Sequence, residues 1–274
     1  MPIPVSEDKR NNGAFTANQD VLAAMLDFAT RMGLELDQPI TDGTLTRCAV
    51  VGKPGRRDGA YIIHLDPPTS IWCQNHVTGE METWTPLARS GMTDEERAAL
   101  QERIEKDRQA RESAKSTRQA LASIKANTIY QDARLDPAGH PYAQKKKLPF
   151  PESIRRGKWP QRKWPDAILV PLYDEDGQIR TLQAINSDGS KDLLAGGKKR
   201  GCFFPFGKIR DAERVLIGEG LATVAAGCLA TKLPGVMAID AGNLLTVGRI
   251  VRNIAGPNAD IIFLADDDQG GVRA

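Results

Sequence analysis

Two apolar runs near the carboxyl terminus each break off into acidic residues, and this restricts the fold more than any other feature of the chain. Val215-Leu216-Ile217 leads into Gly218-Glu219-Gly220, and Asp260-Ile261-Ile262-Phe263-Leu264-Ala265 leads into Asp266-Asp267-Asp268. Short continuous apolar runs are strands buried on both faces, as in parallel sheets covered by helices. Between them come a helical pattern near 222–231, a strand at 235–240 and a second helical pattern near 246–254. The order βαβαβ predicts a parallel sheet whose first and last strands end side by side.

Such sheets collect their chemistry where strands run out into loops. Asp266 and Asp268 are two positions apart, so on an extended tip they point to the same side and can share a hard cation with Glu219. Mg²⁺ suits this all-oxygen donor set and keeps waters through which it can hold substrate phosphates. Acidic residues at strand ends also serve as plain turn formers, but two such clusters in one domain favour the cation site. The backbone N–H groups of Gly218 and Gly220, with the following helix start, can receive a phosphate; a purely structural turn is the equal alternative.

With 274 residues the chain has room for more than one domain, and its net charge of +2 announces no partner. The charge is uneven: residues 141–210 hold 15 Lys or Arg against 7 Asp or Glu. Within that region Lys145, Lys146, Lys147, Arg155, Arg156, Lys158, Arg162 and Lys163 are interleaved with Trp159 and Trp164. Phosphate pairing and base stacking are the expected uses of such a mixture, because two exposed tryptophans need a packing or binding role.

Cys48, Cys73, Cys202 and Cys228 are scattered without a disulfide framework and no secretory leader is evident, so a reducing cytoplasm is expected. No apolar run approaches the roughly 20 residues that cross a bilayer, and no membrane partner is expected. His64, Cys73, His76 and Cys48 form too sparse a set for zinc to be expected.

Upstream, residues 1–14 are polar and read as frayed, and an amphipathic helix is expected from Thr16 to Met32 with Thr16 or Asn18 as its cap. Residues 44–87 change to strand-like runs at 45–50, 60–65, 70–75 and 82–87 punctuated by Gly, Pro and Asp, which predicts a small antiparallel domain. Thr93, followed by Asp94, Glu95 and Glu96, opens a long charged helix reaching toward Ala126. Glu102/Lys106 and Arg103/Asp107 are read as i,i+4 ion pairs on a solvated arm. Strands at 166–173 and 179–185 flank an Asp174-Glu175-Asp176-Gly177 turn and read as a hairpin. The predicted class is α+β: an N-terminal domain over 1–90, a helix over 91–128, a mixed region over 129–210 and the parallel sheet with helices over 211–274.

Gly218-Glu219-Gly220-Leu221-Ala222-Thr223, Ala238-Ile239-Asp240-Ala241-Gly242-Asn243-Leu244 and Ala265-Asp266-Asp267-Asp268 together closely resemble the Toprim domain of primases and topoisomerases, above all the phage and plasmid primases. His140-Pro141-Tyr142, Asp188-Gly189-Ser190-Lys191 and Gly196-Gly197-Lys198-Lys199-Arg200-Gly201 resemble the segment that precedes Toprim in those primases. The resemblance implies primer synthesis on single-stranded DNA from nucleotides, with a replicative helicase or other replication proteins as partners. Glu219 matches the family's acid/base or metal-ligating glutamate, and Asp266 and Asp268 match the DxD pair that holds Mg²⁺ or Mn²⁺. Family domains continue past this motif with another helix and strand, so the resemblance implies a Toprim domain without its C-terminal end. A noncatalytic single-strand-binding module and a Toprim nuclease are the alternatives. A topoisomerase is the weaker reading, since none of Tyr61, Tyr130, Tyr142 and Tyr173 has a setting that marks a nucleophile.

Overall fold

Alternating apolar residues organise the first sheet. The computed structural model describes residues 9–53, 55–86, 92–147 and 150–265, with side chains from residue 19 onward. It divides into two units, Met1–Glu112 and Ser113–Ala274. In the first unit β1 (Leu34–Glu35), β2 (Thr46–Val50), β3 (Gly59–His64), β4 (Ser70–Asn75) and β5 (Met81–Trp84) pair in sequence order, antiparallel throughout. Cys48, Val50, Tyr61, Ile63, Ile71 and Cys73 share one core with Met25, Phe28, Ala29 and Met32 from α1 (Lys9–Arg31) and the turn after it. The residues between them, Ala60, Ile62 and Trp72, face the other way, as the two-residue strand period requires.

Helix α1 starts at Lys9, ahead of the expected cap at Thr16 or Asn18, so residues 9–14 belong to the helix. The polar residues upstream are adequate helix formers, and only Gly13 interrupts them. Helix α2 (Asp94–Gln131) begins at a reciprocal capping box: the Thr93 N–H donates to Glu96 Oε2 at 2.8 Å and the Glu96 N–H to Thr93 Oγ1 at 3.2 Å.

The expected Arg103/Asp107 pair gives way to better partners on the sheet side. The Arg103 guanidinium donates to the Asp66 carboxylate at 2.7 Å and to the carbonyls of Asp66, Pro67 and Pro68. Asp107 instead meets the His64 ring at 2.9 Å, and Arg111 lies 4.1 Å above the Trp72 ring. These contacts, with buried Leu100, make the first half of α2 a packing element of its unit rather than a solvated arm.

Cys48 and Cys73 are buried in the α1-facing core, and burial pushes their thiols up to about 11 and about 12.

In the second unit β6 (Arg155–Trp159), β7 (Trp164–Tyr173), β8 (Ile179–Ile185) and β9 (Lys191–Leu193) form an antiparallel sheet in that order, including the expected hairpin. The second sheet has the order β10-β12-β11-β13, from β10 (Phe204–Phe206), β11 (Arg214–Gly218), β12 (Gly235–Met237) and β13 (Asp260–Leu264). β11 runs parallel to both β12 and β13, as expected, whereas β10 adds an antiparallel edge.

Three cores layer this unit. Ala126 of α2 packs with Trp159, Ala167, Leu169, Leu182 and Ala184 on one face of the first sheet. Ile168, Val170, Leu172 and Ile185 on its other face meet Phe204, Met237 and helix α4 (Leu221–Thr231), together with Tyr142 of the short helix α3 (Pro141–Lys146). Val215, Ile217 and Val236 then face Val247 and Val251 of α5 (Ala241–Ala255). α4 and α5 thus cover opposite faces of β11 and β12, which suits the unbroken apolar run of β11; β13 departs from the expected burial, since as an edge strand it leaves Ile262 and Phe263 exposed. No helix among the described residues is long and apolar enough to cross a membrane.

Candidate active site at the carboxyl edge of the parallel sheet

Parallel pairing brings the ends of β11 and β13 together, with Gly218 beside Leu264. Glu219 follows the first strand directly, and Ala265 follows the second. Asp266, Asp267 and Asp268 lie outside the described residues, so the register fixes only the edge from which their segment departs. Glu219 is half-buried and makes no hydrogen bond or ion pair among the described residues, which leaves its carboxylate uncommitted. No group of three or more His, Cys, Asp or Glu side chains among those residues could hold a metal ion.

The two glycines around Glu219 have different jobs. A Cβ on Gly218 would stand 2.9 Å from Val224 Cγ2 and 3.4 Å from Leu264 Cβ, so Gly218 permits α4 to close on β11. Gly220 caps α4 without any side-chain cap bond, and a Cβ there would meet only Thr223 Oγ1 at 3.4 Å and Lys191 Nζ at 4.0 Å. Gly218→Ala is therefore expected to cost about 1–3 kcal/mol of stability through overpacking. Gly220→Ala, which meets no close atom, should cost only the weaker N-cap preference of alanine, under about 1 kcal/mol. Urea unfolding of both variants checks the contrast, and equal losses would contradict it.

A cavity of about 380 Å³ opens beside the α4 N-terminus, lined by Tyr142, Lys145, Lys146, Ser187, Asp188, Gly189, Lys191, Gly220, Ala222 and Thr223. Three ammonium groups and the N-terminal end of α4 face one carboxylate there, that of Asp188. Asp188 is already engaged: Ser190 Oγ donates to it at 2.6 Å, and this bond holds its carboxyl below the usual range. The balance favours an anion with several oxygens, as a helix N-terminus does generally. Lys145 and Lys146 reach the cavity because α3 is pinned at its start. His140 Nδ1 accepts from the Tyr142 N–H at 3.3 Å, and the buried Tyr142 ring stacks on Phe150 with centroids 6.4 Å apart. Burial lowers the His140 pKa, so its ring caps the helix in the neutral form.

A third strand end adjoins the same edge. The Ala238 N–H donates to Gly218 O at 2.8 Å, so the corner after β12 sits against that of β11. Ile239 there adopts φ +81°, an uncommon and strained conformation for a β-branched residue. Asp240 accepts from Lys199 Nζ at 2.5 Å. Buried Asn243 accepts from the Gly201 N–H at 2.9 Å and donates to the carbonyls of Cys202 and Ala238, fixing the Lys198–Gly201 loop. Reasoning from sequence assigned no role to Asp240 or Lys199; only their proximity in the fold identifies them.

Among the other basic residues, the fold separates structural cations from exposed ones. Lys145, Lys146, Lys147, Lys158 and Lys163 are exposed. Arg155 donates to Tyr130 O at 2.8 Å and lies 4.2 Å above the Tyr130 ring. Arg156 grips the Asp166 carboxylate through two nitrogens, at 2.8 and 2.7 Å, and Arg162 pairs with Asp192 at 3.1 Å. Trp164 is partly buried. Trp159 departs from expectation: it is fully buried and its indole N–H donates to Asp192 at 2.6 Å, so it has no face to offer a base.

A glutamate after a central parallel strand, with a helix on each face of that strand, is consistent with a Toprim-like core, and the relatives mark the chain as a primase-like protein. The chain is related to the DNA primase TraC of Escherichia coli, with 30% identity over 275 residues, covering 97% of this chain and 18% of the relative. A second DNA primase TraC of Escherichia coli is 29% identical over 245 residues, covering 85% of this chain and 22% of its own length. The chain thus spans about a fifth of the curated relatives it matches. No family model matches. Among solved structures, the DnaG primase catalytic domain bound to ssDNA aligns with a TM-score of 0.41 and 12% identity, over 58% of this chain and 64% of that one. The DnaG catalytic core aligns with a TM-score of 0.40 and 13% identity, over 56% and 63%.

Proposed function

We propose that this chain supplies the nucleotidyl-transfer centre of a DNA primase, joining nucleotides into a primer on single-stranded DNA. The observation that carries this reading is the β11–β13 register, which ends the strand before Glu219 and the strand that precedes the Asp266-Asp267-Asp268 sequence at one sheet edge, where Gly220 lines a lysine-rich cavity. The relation to the TraC primases supports it.

Each group then has a task. Lys145, Lys146 and Lys191, with the backbone N–H groups at Gly220 and Ala222, bind the triphosphate of an incoming nucleotide and hold its α-phosphorus in place. Glu219, uncommitted and half-buried, accepts the proton of the attacking hydroxyl or helps hold the cation. Glu219, Asp266 and Asp268 offer only carboxylate oxygens, so Mg²⁺ or Mn²⁺ is the group they suit, and such an ion would neutralise charge on the phosphate oxygens. Lys147, Lys158 and Lys163, exposed along the same basic region, are the candidates for template phosphates.

The test is primer synthesis by the purified chain on single-stranded DNA with labelled nucleotides and Mg²⁺ or Mn²⁺. Short labelled products that require both template and cation are expected. Tight binding of the DNA with no product would favour a noncatalytic binding module.

A further inference from the structure

Asp192 makes three hydrogen bonds that no role so far described requires. Its side chain is 9% exposed, and its Oδ2 accepts from the Trp159 indole N–H and from Gln161 Nε2, both at 2.6 Å. Oδ1 accepts from Arg162 Nε at 3.1 Å. Gln161 also donates to Leu193 O at 3.0 Å and accepts from the Ala195 N–H at 2.8 Å, so it clamps the end of β9 on three sides. β6 and β9 are the two outer strands of their sheet, yet this network ties the end of one to the other.

The strand period says what the tie controls. Asp192 pairs with Ala184, whose side chain packs in the α2-facing core, while Lys191 pairs with Ile185, whose side chain packs in the core on the opposite face. Adjacent residues of one strand point to opposite faces, so fixing Asp192 on the α2 side fixes Lys191 on the cavity side. Strand β9 has only three residues and, among the described residues, is an outer strand with no further strand on its other edge. The Asp192 network adds a side-chain anchor to the three β8–β9 pairs in holding Lys191 toward the cavity, with its Nζ 4.0 Å from the place a Cβ on Gly220 would occupy.

We infer that Asp192, held by Trp159, Gln161 and Arg162, is a positioning residue that aims Lys191 at the phosphates of a nucleotide in the cavity. This rests on the proposed nucleotide site, and it gives three residues first suspected of touching DNA or left unassigned a single shared purpose. A lysine held in its binding direction before the ligand arrives loses less freedom on binding, which is how a remote network raises affinity.

A double-mutant cycle tests the inference, with ATP affinity of the intact chain measured by calorimetry. Lys191→Ala is expected to weaken ATP binding about tenfold, the loss of one charge-assisted contact. Asp192→Asn and Gln161→Ala should each weaken it about fivefold when Lys191 is present and not at all in the Lys191→Ala background. Affinity for single-stranded DNA should stay unchanged in all of them. Gln161 is exposed, so its variant carries the test even if Asp192→Asn fails to fold. ATP affinity unaffected by Lys191→Ala would overturn both the nucleotide site and this inference. A tenfold loss there, with Asp192→Asn and Gln161→Ala either harmless or equally damaging with and without Lys191, would overturn the positioning role alone.

Discussion

Replacing Glu219 with Gln is expected to lower template-directed nucleotide incorporation by about 10³-fold, the scale on which a catalytic base or an oriented charge contributes. The amide keeps the shape of the side chain and removes its charge and basicity. Since Glu219 has no hydrogen-bond partner among the described residues, thermal stability and affinity for single-stranded DNA should not change. Asp266→Ala and Asp268→Ala should give losses of similar size. Single-turnover incorporation of a labelled nucleotide reads the effect directly, and wild-type rates in Glu219→Gln would remove that residue from the chemistry.

Trp159→Ala should be strongly destabilising, at about 3–5 kcal/mol, because losing a fully buried indole leaves a cavity and removes one of the three hydrogen bonds to Asp192. Urea unfolding followed by circular dichroism measures it. A Trp159 that merely stacked on DNA would give a variant of wild-type stability and weakened DNA binding, and that result would contradict the placement described above.

Trp159 also shows where reading the sequence stops. Locally it follows Lys158 and precedes Pro160-Gln161-Arg162-Lys163, surroundings that look solvated, and its burial depends on Asp192, 33 residues away. Arg156, with its partner Asp166, and Arg103, with its partner Asp66, were hidden in the same way, since a side chain's partner on another element leaves no local pattern. The strands and helices were legible where the signal is local. The β7–β8 hairpin announced itself through its Asp-Gly turn, α2 through its capping box, and β11 and β13 through their apolar runs. Two-residue β1 and the Pro-containing, three-residue β10 are too short for either period to register. At the candidate edge the position of Glu219 could be read because it follows a strand, whereas the acidic segment lies outside the described residues. Asp240 and Lys199 come together only through the packing of Asn243 against the loop before β10.

A carboxylate site for a divalent cation at the edge where β11 and β13 end is the central proposal. Titration of the chain with Mn²⁺, followed by the electron paramagnetic resonance signal of the free ion, tests this apart from catalysis. The prediction is saturable binding that is lost in an Asp266→Ala/Asp268→Ala variant and weakened in Glu219→Gln. Mn²⁺ binding that is identical in all three proteins would contradict it.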